Sequence, residues 1–243
     1  MKRDSLVAIA AARSPCPRAS PKFWPSHSMP TNSPSVAVLN QPTAELRAAP
    51  LPAPVSLVAV HLYFITSDGQ EPWQRWEVWQ RRNAFRTPPQ AHQKAYGHVH
   101  LNLMAPHQGV GGGPSYPLQR WNGTEAKRLI ETLRTGSATY VSRDRYLLWP
   151  GPNSNTFVSR ILADAGIEAS LPATAIGKDW DGAFKLQTSA SPPAFNFYTP
   201  LLGANLTVAE SLELQLLGFS VGVHLKRREM KLPIGKGLWK LLP

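Results

Sequence analysis

The earliest regular hydrophobic pattern lies at residues 56–66 (SLVAVHLYFIT), a run rich in β-branched and aromatic residues that predicts a strand. An Asp-Gly turn at residues 68–69 follows, and residues 73–81 then alternate polar and apolar side chains. Because so short a link joins the two segments, they are predicted to pair as an antiparallel hairpin. Residues 98–104 (HVHLNLM) alternate in the same way and predict a third strand.

Two helices are predicted in the middle of the chain. The first begins with Thr124 as its N-cap, carries an apolar stripe, and ends at Gly136. The second begins near residues 153–155 and ends at Gly166, since two prolines just before it oppose an earlier start.

A last strand region is predicted at residues 208–224, where apolar positions alternate but change parity near residues 217–218. A β-bulge or a tight turn at that point would keep both apolar sets inside. The resulting order, β-β-β-α-α-β-β, is typical of an α+β fold with an antiparallel sheet and two main helices packed on it.

The first 55 residues differ in composition and are predicted to be a disordered, Pro-rich, basic tail ahead of a single α+β domain at residues 56–240. Ten prolines and six Lys/Arg against two acids fall within residues 1–54, without a sustained apolar period. The chain starts with a basic end and a short apolar run at residues 6–12, at the lower limit for a secretion signal. The compartment is therefore left open between the cytoplasm and the cell envelope.

Composition narrows the class of protein further. Of 243 residues, 42% are hydrophobic and eight are Trp, enough to form a core, and the formal net charge is +11. The single cysteine, Cys16, excludes a disulfide-stapled scaffold, and no apolar run reaches the roughly 18–20 residues of a membrane-spanning helix. Basic residues are scattered apart from Arg81-Arg82 and residues 226–228, which is more typical of a solvated face than of a nucleic-acid interface.

Three histidines, His98, His100 and His107, are spaced so that one strand face could present two of them to a metal ion. Zinc sites with such spacings normally add cysteines or a close acid, and neither is present. Surface histidines are therefore predicted, and neither a metal nor another cofactor is expected.

The segment WPGPNSNTF at residues 149–157 is the most unusual in the chain, because two prolines and a glycine force a sharp turn directly into the second helix. Ser154 then lies at the helix N-terminus, where free N–H groups and the helix dipole favour an anion. That position suits a nucleophile or an oxyanion site. It also suits an N-cap supplied by Asn153, Ser154 or Asn155, and we predict that Ser154 is a cap.

Two longer motifs carry a resemblance to a known family. YLLWPGPNSNTF at residues 146–157 and LPATAIGKD at residues 171–179 resemble the signature of a bacterial domain-of-unknown-function family, DUF3750. The segment VAVH that ends at His61, the segment RWEV at residues 75–78, the first helix, and residues 211–233 are similar to other parts of that family in the same order. The family brings no established activity with it.

The resemblance, which spans roughly residues 57–239, implies a layout similar to the circularly permuted papain-like hydrolases. In that fold a histidine on an early strand precedes a nucleophilic cysteine at the start of a helix. His61 and Ser154 match those two places, and Glu77 on the neighbouring strand matches the third member of a triad. The signature motifs also imply binding roles for four residues: Asn153, Asn155, Lys178 and Asp179.

Serine in the place of cysteine decides the functional prediction. A thiol beside histidine forms a thiolate near neutral pH, whereas a serine hydroxyl has a pKa several units above the ~8.5 of cysteine and needs a dedicated general base. We therefore expect a non-catalytic or degenerate member of a permuted papain-like scaffold. The alternatives are an amide or ester hydrolase that uses Ser154 with His61, and a weak nucleic-acid-binding protein. No particular partner is indicated.

Overall fold

Two antiparallel sheets and two α-helices make up the computed structural model, which describes residues 41–69, 72–80, 93–110 and 113–241. The first sheet consists of β1 Thr43–Pro50, β2 Val60–Ser67, β3 Gln74–Val78, β4 Lys94–Tyr96, β5 Val99–Leu101 and β6 Tyr116–Asn122. Its strands lie in the order β4-β5-β3-β2-β1-β6. Helix α1 spans Gly123–Thr139 and helix α2 spans Ser154–Asp164. The arrangement confirms the predicted α+β class and the predicted hairpin of β2 with β3.

Strand β1 lies inside the first sheet and corrects the predicted domain boundary at residue 55. It pairs antiparallel with β2 on one side and with β6 on the other. Leu46 faces a buried core, while Glu45 and Arg47 face the opposite side as a buried ion pair, with Arg47 Nη1 2.7 Å from Glu45 Oε2. The strand was not predicted from the sequence, because charged residues such as Glu45 and Arg47 normally indicate a solvent-exposed segment. The tail prediction now concerns residues 1–40, which lie outside the described residues.

Both helices pack on one face of the first sheet and form the main core. Leu62 and Phe64 of β2 lie in the same buried cluster as Leu133 of α1 and Phe157 of α2. Apolar side chains at alternate positions of the strands thus meet the apolar stripes of the helices, as the sequence pattern predicts.

Helix α1 begins and ends elsewhere than predicted. Its N-cap is Asn122 rather than Thr124, and it continues through Gly136 to Thr139. A Cβ at position 136 would lie 3.2 Å from Ile161 Cδ1 of α2. Gly136 therefore serves the close approach of the two helices rather than the end of one.

The opposite face of the first sheet carries polar residues and is covered by residues that follow β5. Val110 from this connection packs with Tyr63 and Ile65 of β2 in a second buried cluster. His100 of β5 is fully buried and His98 is 8% exposed. The prediction of surface histidines is therefore wrong for these two residues. His100 is paired with Glu77 on the covered face, and the ring of His98 lies 5.9 Å from that of Tyr146 in the chain that follows α1.

The second sheet is a meander whose seven strands lie side by side in sequence order. They are β7 Lys185–Ala190, β8 Pro193–Tyr198, β9 Leu202–Thr207, β10 Ser211–Leu216, β11 Phe219–His224, β12 Glu229–Lys231 and β13 Trp239–Lys240. Leu217 and Gly218 form the turn between β10 and β11, with φ values of +54° and +85°. Two positive φ values in a two-residue loop are those of a tight hairpin turn, so the turn rather than the bulge is correct.

The predicted burial of both apolar sets on this hairpin is wrong. Leu214 and Val221 are paired across β10 and β11 on one face and are 49% and 46% exposed. The buried face of the same hairpin is polar and contains Gln215 and Ser220. Separately, no helix in the described part of the chain is long and apolar enough to cross a membrane.

Candidate functional site

His61 of β2 and Glu77 of β3 form a buried pair on the polar face of the first sheet. His61 Nε2 lies 3.0 Å from Glu77 Oε2, and the two side chains are 2% and 0% exposed. The antiparallel register places them on one face, because Ile65, four residues after His61, is the partner of Arg75, two residues before Glu77, and every second residue of a strand shares a face. The structure therefore brings together two of the three residues that the resemblance implies as a triad.

Arg75 shares the same carboxylate and was not among the predicted site residues. Its Nη2 donates to Glu77 Oε2 at 2.8 Å, and its guanidinium lies 3.7 Å from the centroid of the Tyr63 ring. Nη1 donates to the backbone oxygens of Ala105, at 3.0 Å, and Gln108. Arg75 thus ties Glu77 to the connection that covers the sheet. The alternation of RWEV, which places residues 75 and 77 on one face, was the signal for it.

Glu77 stays ionised although it is fully buried. Burial acts to raise the pKa of its carboxyl, but the hydrogen bonds and charges of His61 and Arg75 outweigh that effect and hold the pKa below its ordinary value. Without this carboxylate, Arg75 would be a buried cation with no counter-ion.

The N-terminus of α2 is capped by Asn153, so the prediction of Ser154 as the cap is wrong. Asn153 Oδ1 accepts from the backbone N–H of Asn155 at 2.9 Å and of Thr156 at 3.3 Å. Thr156 Oγ1 in turn accepts from the Asn153 N–H at 3.1 Å, which completes a capping box. An asparagine one residue earlier already fills the role, and Ser154 becomes the first residue of the helix.

The two signature motifs pack against each other through this cap. Asn153 Nδ2 donates to the Ile176 carbonyl oxygen at 3.1 Å, and Thr156 Oγ1 donates to that of Gly177 at 2.7 Å. Gly177 has φ +86°, and a Cβ there would lie 2.3 Å from Asn153 Nδ2. The glycine of LPATAIGKD is therefore required by the asparagine of WPGPNSNTF.

Asn155 fixes the start of α2 against β2 on both sides of His61. Its Oδ1 accepts from the Leu62 N–H at 2.9 Å, and its Nδ2 donates to Val60 O at 3.0 Å and Ile176 O at 2.9 Å. The side chain thus replaces a strand partner where β2 has none from β3. Both amide hydrogens of Asn155, like those of Asn153, are used within the fold, which gives these two predicted binding residues an architectural task.

Ser154 lies beside this anchor but is not joined to His61. Its Oγ donates to Asn155 Oδ1 at 3.5 Å, the outer limit of a hydrogen bond. No hydrogen bond between Ser154 and His61 is formed in the described part of the chain. The serine is also 4% exposed, so the predicted nucleophile is held inside the fold.

Lys178 and Asp179, the other predicted binding residues, belong to a separate charged cluster that reaches the second sheet. Lys178 Nζ lies 2.5 Å from both Asp179 Oδ2 and Glu213 Oε1, and Lys231 Nζ lies 2.6 Å from Glu213 Oε2. Burial acts to lower the pKa of Lys178, but the two carboxylates outweigh it and raise that pKa above its ordinary value. For Glu213, burial acts to raise the pKa, and the two lysines overcome it and lower that pKa to about 2.

A cavity of about 610 Å³ lies beside α2, between the end of α1 and the chain around Lys178. Ser159, Lys178, Asp179 and Trp180 are among its lining residues, whereas His61, Glu77 and Ser154 are not. The predicted site residues thus fall into three groups, which are the buried pair, the start of α2 and the lining of the cavity. No group of three His, Cys, Asp or Glu side chains that could hold a metal ion occurs in residues 41–69, 72–80, 93–110 or 113–241.

The fold and the site define a two-sheet α+β protein in which a helix N-terminus is anchored beside a buried His–Glu–Arg cluster. Residues 42–180, more than half of the chain, match the family described as "Protein of unknown function (DUF3750)". The chain therefore belongs to this family. The match begins at β1 and ends before the second sheet, so it starts and stops earlier than the predicted span of residues 57–239. Neither the curated proteins nor the solved structures compared with the chain gave a match.

Proposed function

We propose that this member of the DUF3750 family is a non-catalytic binding protein on a degenerate hydrolase-like scaffold, and that its ligand is a small polar molecule of low net charge. The observation that carries the proposal is that Ser154 shares no hydrogen bond with His61 among the described residues, while both side chains are almost fully buried. A nucleophile has to be reached by its substrate and deprotonated by a base within hydrogen-bond distance. Neither condition is met at Ser154.

The task of the buried pair is then structural. Glu77 balances the charge of Arg75, and Arg75 holds the connection over the sheet through Ala105 and Gln108. His61 adds a hydrogen bond to the same carboxylate and an edge contact to Trp79, with ring centroids 5.2 Å apart. A catalytic histidine would instead need to direct one ring nitrogen to the nucleophile.

The cavity beside α2 supports the binding role. Its volume, about 610 Å³, lies within the range of small-molecule sites. Three acidic and three basic side chains line it and balance in charge: Asp164, Asp179, Asp181, Arg160, Lys178 and Lys185. They also form three ion pairs with one another, so a strongly charged ligand would have to break one. The ring of Trp180 and the hydroxyl of Ser159 favour an uncharged molecule with several hydroxyl or amide groups.

The experiment that tests the non-catalytic claim places a thiol at position 154. In a Cys16→Ser background, thiolate formation in Ser154→Cys is followed by ultraviolet absorbance across a pH series, which needs no reagent to reach the buried side chain, and the midpoint gives the pKa of the thiol. The N-terminus of α2 lowers that pKa by itself, so the informative comparison is with Ser154→Cys/His61→Ala. We expect the same midpoint in both proteins, because His61 is engaged with Glu77. A midpoint that rises by one unit or more when His61 is removed would contradict the proposal.

The second candidate function is an amide or ester hydrolase that uses Ser154 with His61 and Glu77. It is favoured by one specific observation: Asn155 anchors the start of α2 to Leu62 and Val60, on both sides of His61. A small rotation of His61 or Ser154 on ligand binding is the step that this function requires. The thiol experiment separates the two candidates, because a competent pair would make the thiolate of the Ser154→Cys variant depend on His61.

The binding role is tested at the cavity with matched variants. Unfolding temperatures are measured by intrinsic fluorescence with a panel of neutral sugars, polyols and amides. Ser159→Trp fills the cavity, while Thr135→Trp adds the same ring on the exposed surface of α1. We expect a compound that stabilises the parent and the Thr135 variant but not the Ser159 variant. Equal stabilisation of both variants would place the ligand elsewhere.

A further inference from the structure

The outward face of the second sheet is apolar across six of its seven strands. One row of paired positions crosses six strands, from β8 to β13, as Phe195, Leu206, Leu212, Val223, Met230 and Trp239. The first four of these are each 40–43% exposed. At the paired positions of this described sheet, no charged residue lies on that face. We call this surface the apolar face.

The sheet cannot turn this face inward, because its polar face is already fixed to the rest of the domain. Glu213 on the polar face pairs with Lys178 at 2.5 Å, and Gln215 and Ser220 beside it are buried. Strands of about six residues, spaced about 4.8 Å apart across the meander, give the apolar face dimensions of roughly 20 Å by 30 Å. Monomeric soluble proteins rarely leave a contiguous apolar patch of this size in water. Something therefore covers it in the working protein.

Cations are gathered at one end of the same sheet. The chain from residue 225 to residue 241 carries six Lys or Arg and one acid. The turn that follows β11 and the end of β13 lie together there, and Leu225 and Leu241 are 61% and 41% exposed. Arg228 and Lys240 are exposed beside them and form no ion pair with any described residue. Two exposed cations, Arg228 and Lys240, therefore lie at one end of the apolar face.

We propose that the apolar face, with Arg228 and Lys240 at its end, docks on the surface of a lipid bilayer that contains anionic lipids. Exposed Leu, Val, Phe and Trp side chains would enter the boundary between head groups and acyl chains, and the cations would meet lipid phosphates. A second copy of the chain would also cover apolar area, but it brings the same excess of cations and no counter-charge. An anionic membrane supplies both properties at once.

The test is flotation of the full chain with vesicles. Two compositions are compared, phosphatidylcholine alone and phosphatidylcholine with about 30% of the anionic lipid phosphatidylglycerol. We expect the protein to float with the anionic vesicles, and binding to fall at least tenfold in Leu214→Glu and in Val221→Glu, which place a carboxylate on the apolar face. Val141→Glu is the matched control, because Val141 is 96% exposed and lies outside the second sheet. That variant should bind like the parent.

Removal of the cations tests the electrostatic part of the proposal independently of the apolar face. Arg228→Ala and Lys240→Ala should each weaken binding to the anionic vesicles about fivefold, the effect of one surface cation, whereas Lys127→Ala on α1 should not. Circular dichroism checks that every variant is folded. Absence of flotation by the parent, or flotation that Leu214→Glu and Val221→Glu leave unchanged, overturns the proposal. So does a parent that is a dimer in solution, becomes a monomer in Leu214→Glu, and binds neither kind of vesicle, since a second copy then covers the face.

Discussion

The two sheets bury opposite kinds of surface. In the first sheet the apolar face packs on α1 and α2, and the polar face is buried as well, with Glu45, Arg47, Arg75 and Glu77 in ion pairs. In the second sheet only the polar face is buried, and the apolar face carries exposed side chains such as Leu214 and Val221. Both faces of the first sheet are therefore buried within the chain. The apolar face of the second sheet is exposed, and on our proposal it is covered by a lipid surface.

In this protein, therefore, a buried face need not be apolar and an apolar face need not be buried. Charges of the first sheet are held inside because each has a partner and a covering segment, which is the condition for burying an ion at tolerable cost. On the second sheet, the charge of Glu213 is likewise balanced by Lys231 of the same sheet and by Lys178 from the preceding chain. The two sheets differ in their apolar faces, because only that of the first sheet is buried within the described chain. Four sets of variants test this description of the fold.

The largest effect is expected from removal of Glu77. Glu77→Ala leaves Arg75 buried without a counter-ion and should lower the free energy of unfolding by about 3–5 kcal/mol. The control is Asp68→Ala, which breaks the exposed pair with Arg134 and should cost no more than about 1 kcal/mol. Urea unfolding measures both. Similar losses in the two variants would show that the buried cluster contributes no more than a surface ion pair.

The second change compares one substitution on the two apolar faces. Leu62→Ala in the first sheet removes a fully buried side chain and should lower the free energy of unfolding by about 2–5 kcal/mol. Leu214→Ala in the second sheet should cost less than about 1 kcal/mol, because that side chain is half exposed in the isolated chain. If Leu214→Ala costs as much as Leu62→Ala, the apolar face is covered within the protein.

The third change separates the neighbours at the start of α2. Asn155→Ala leaves the Leu62 N–H and the Val60 carbonyl without their partner and should cost about 2–3 kcal/mol. Ser154→Ala should change the free energy of unfolding by less than about 0.5 kcal/mol, because Asn153 is the cap. Thermal unfolding of both variants and of Asn153→Ala measures the order. If Ser154→Ala lowers the free energy of unfolding as much as Asn153→Ala does, Ser154 contributes to the cap as well.

The smallest effect is a pH dependence that comes from the charged anchor of the second sheet. The pKa of Glu213 is lowered to about 2 in the folded protein, below the value of an unfolded glutamate. Its contribution to stability is therefore present above about pH 4.5 and is lost as the pH falls toward 2. Glu77, whose pKa is also lowered, acts in the same direction. In Glu213→Gln, which is less stable at neutral pH, the decrease between these pH values should be shallower, and an unchanged decrease would exclude Glu213 as its source.

The sequence predicted those parts of the fold in which apolar and polar residues follow the ordinary rule. The hairpin of β2 and β3 and the helix that begins within WPGPNSNTF were found in this way. Strand β1 was missed because Glu45 and Arg47 look exposed, and their burial depends on pairing with each other and with Arg120 from β6. The alternation of residues along β1 gives no information about a partner such as Arg120, which lies 75 positions later in the chain.

The candidate site was predictable to a similar degree. The pairing of His61 with Glu77 followed from the resemblance and from strand alternation. The capping by Asn153 could not be distinguished from capping by Ser154, because both residue types cap helices and adjacent positions differ only in backbone geometry. The separation of Lys178 and Asp179 from the buried pair depends on how the second sheet packs, since Glu213 holds Lys178 from a strand 35 positions later.

Labelling with a serine-directed fluorophosphonate probe decides whether Ser154 is a catalytic nucleophile. The full chain, Ser154→Ala, His61→Ala and the control Ser159→Ala on the same helix are treated in parallel. A buried serine without a hydrogen bond to histidine should not react, so we predict no labelling of any of the four proteins above that of the heat-denatured chain. Labelling of the parent and of Ser159→Ala that disappears in both Ser154→Ala and His61→Ala would contradict the account and establish a catalytic serine.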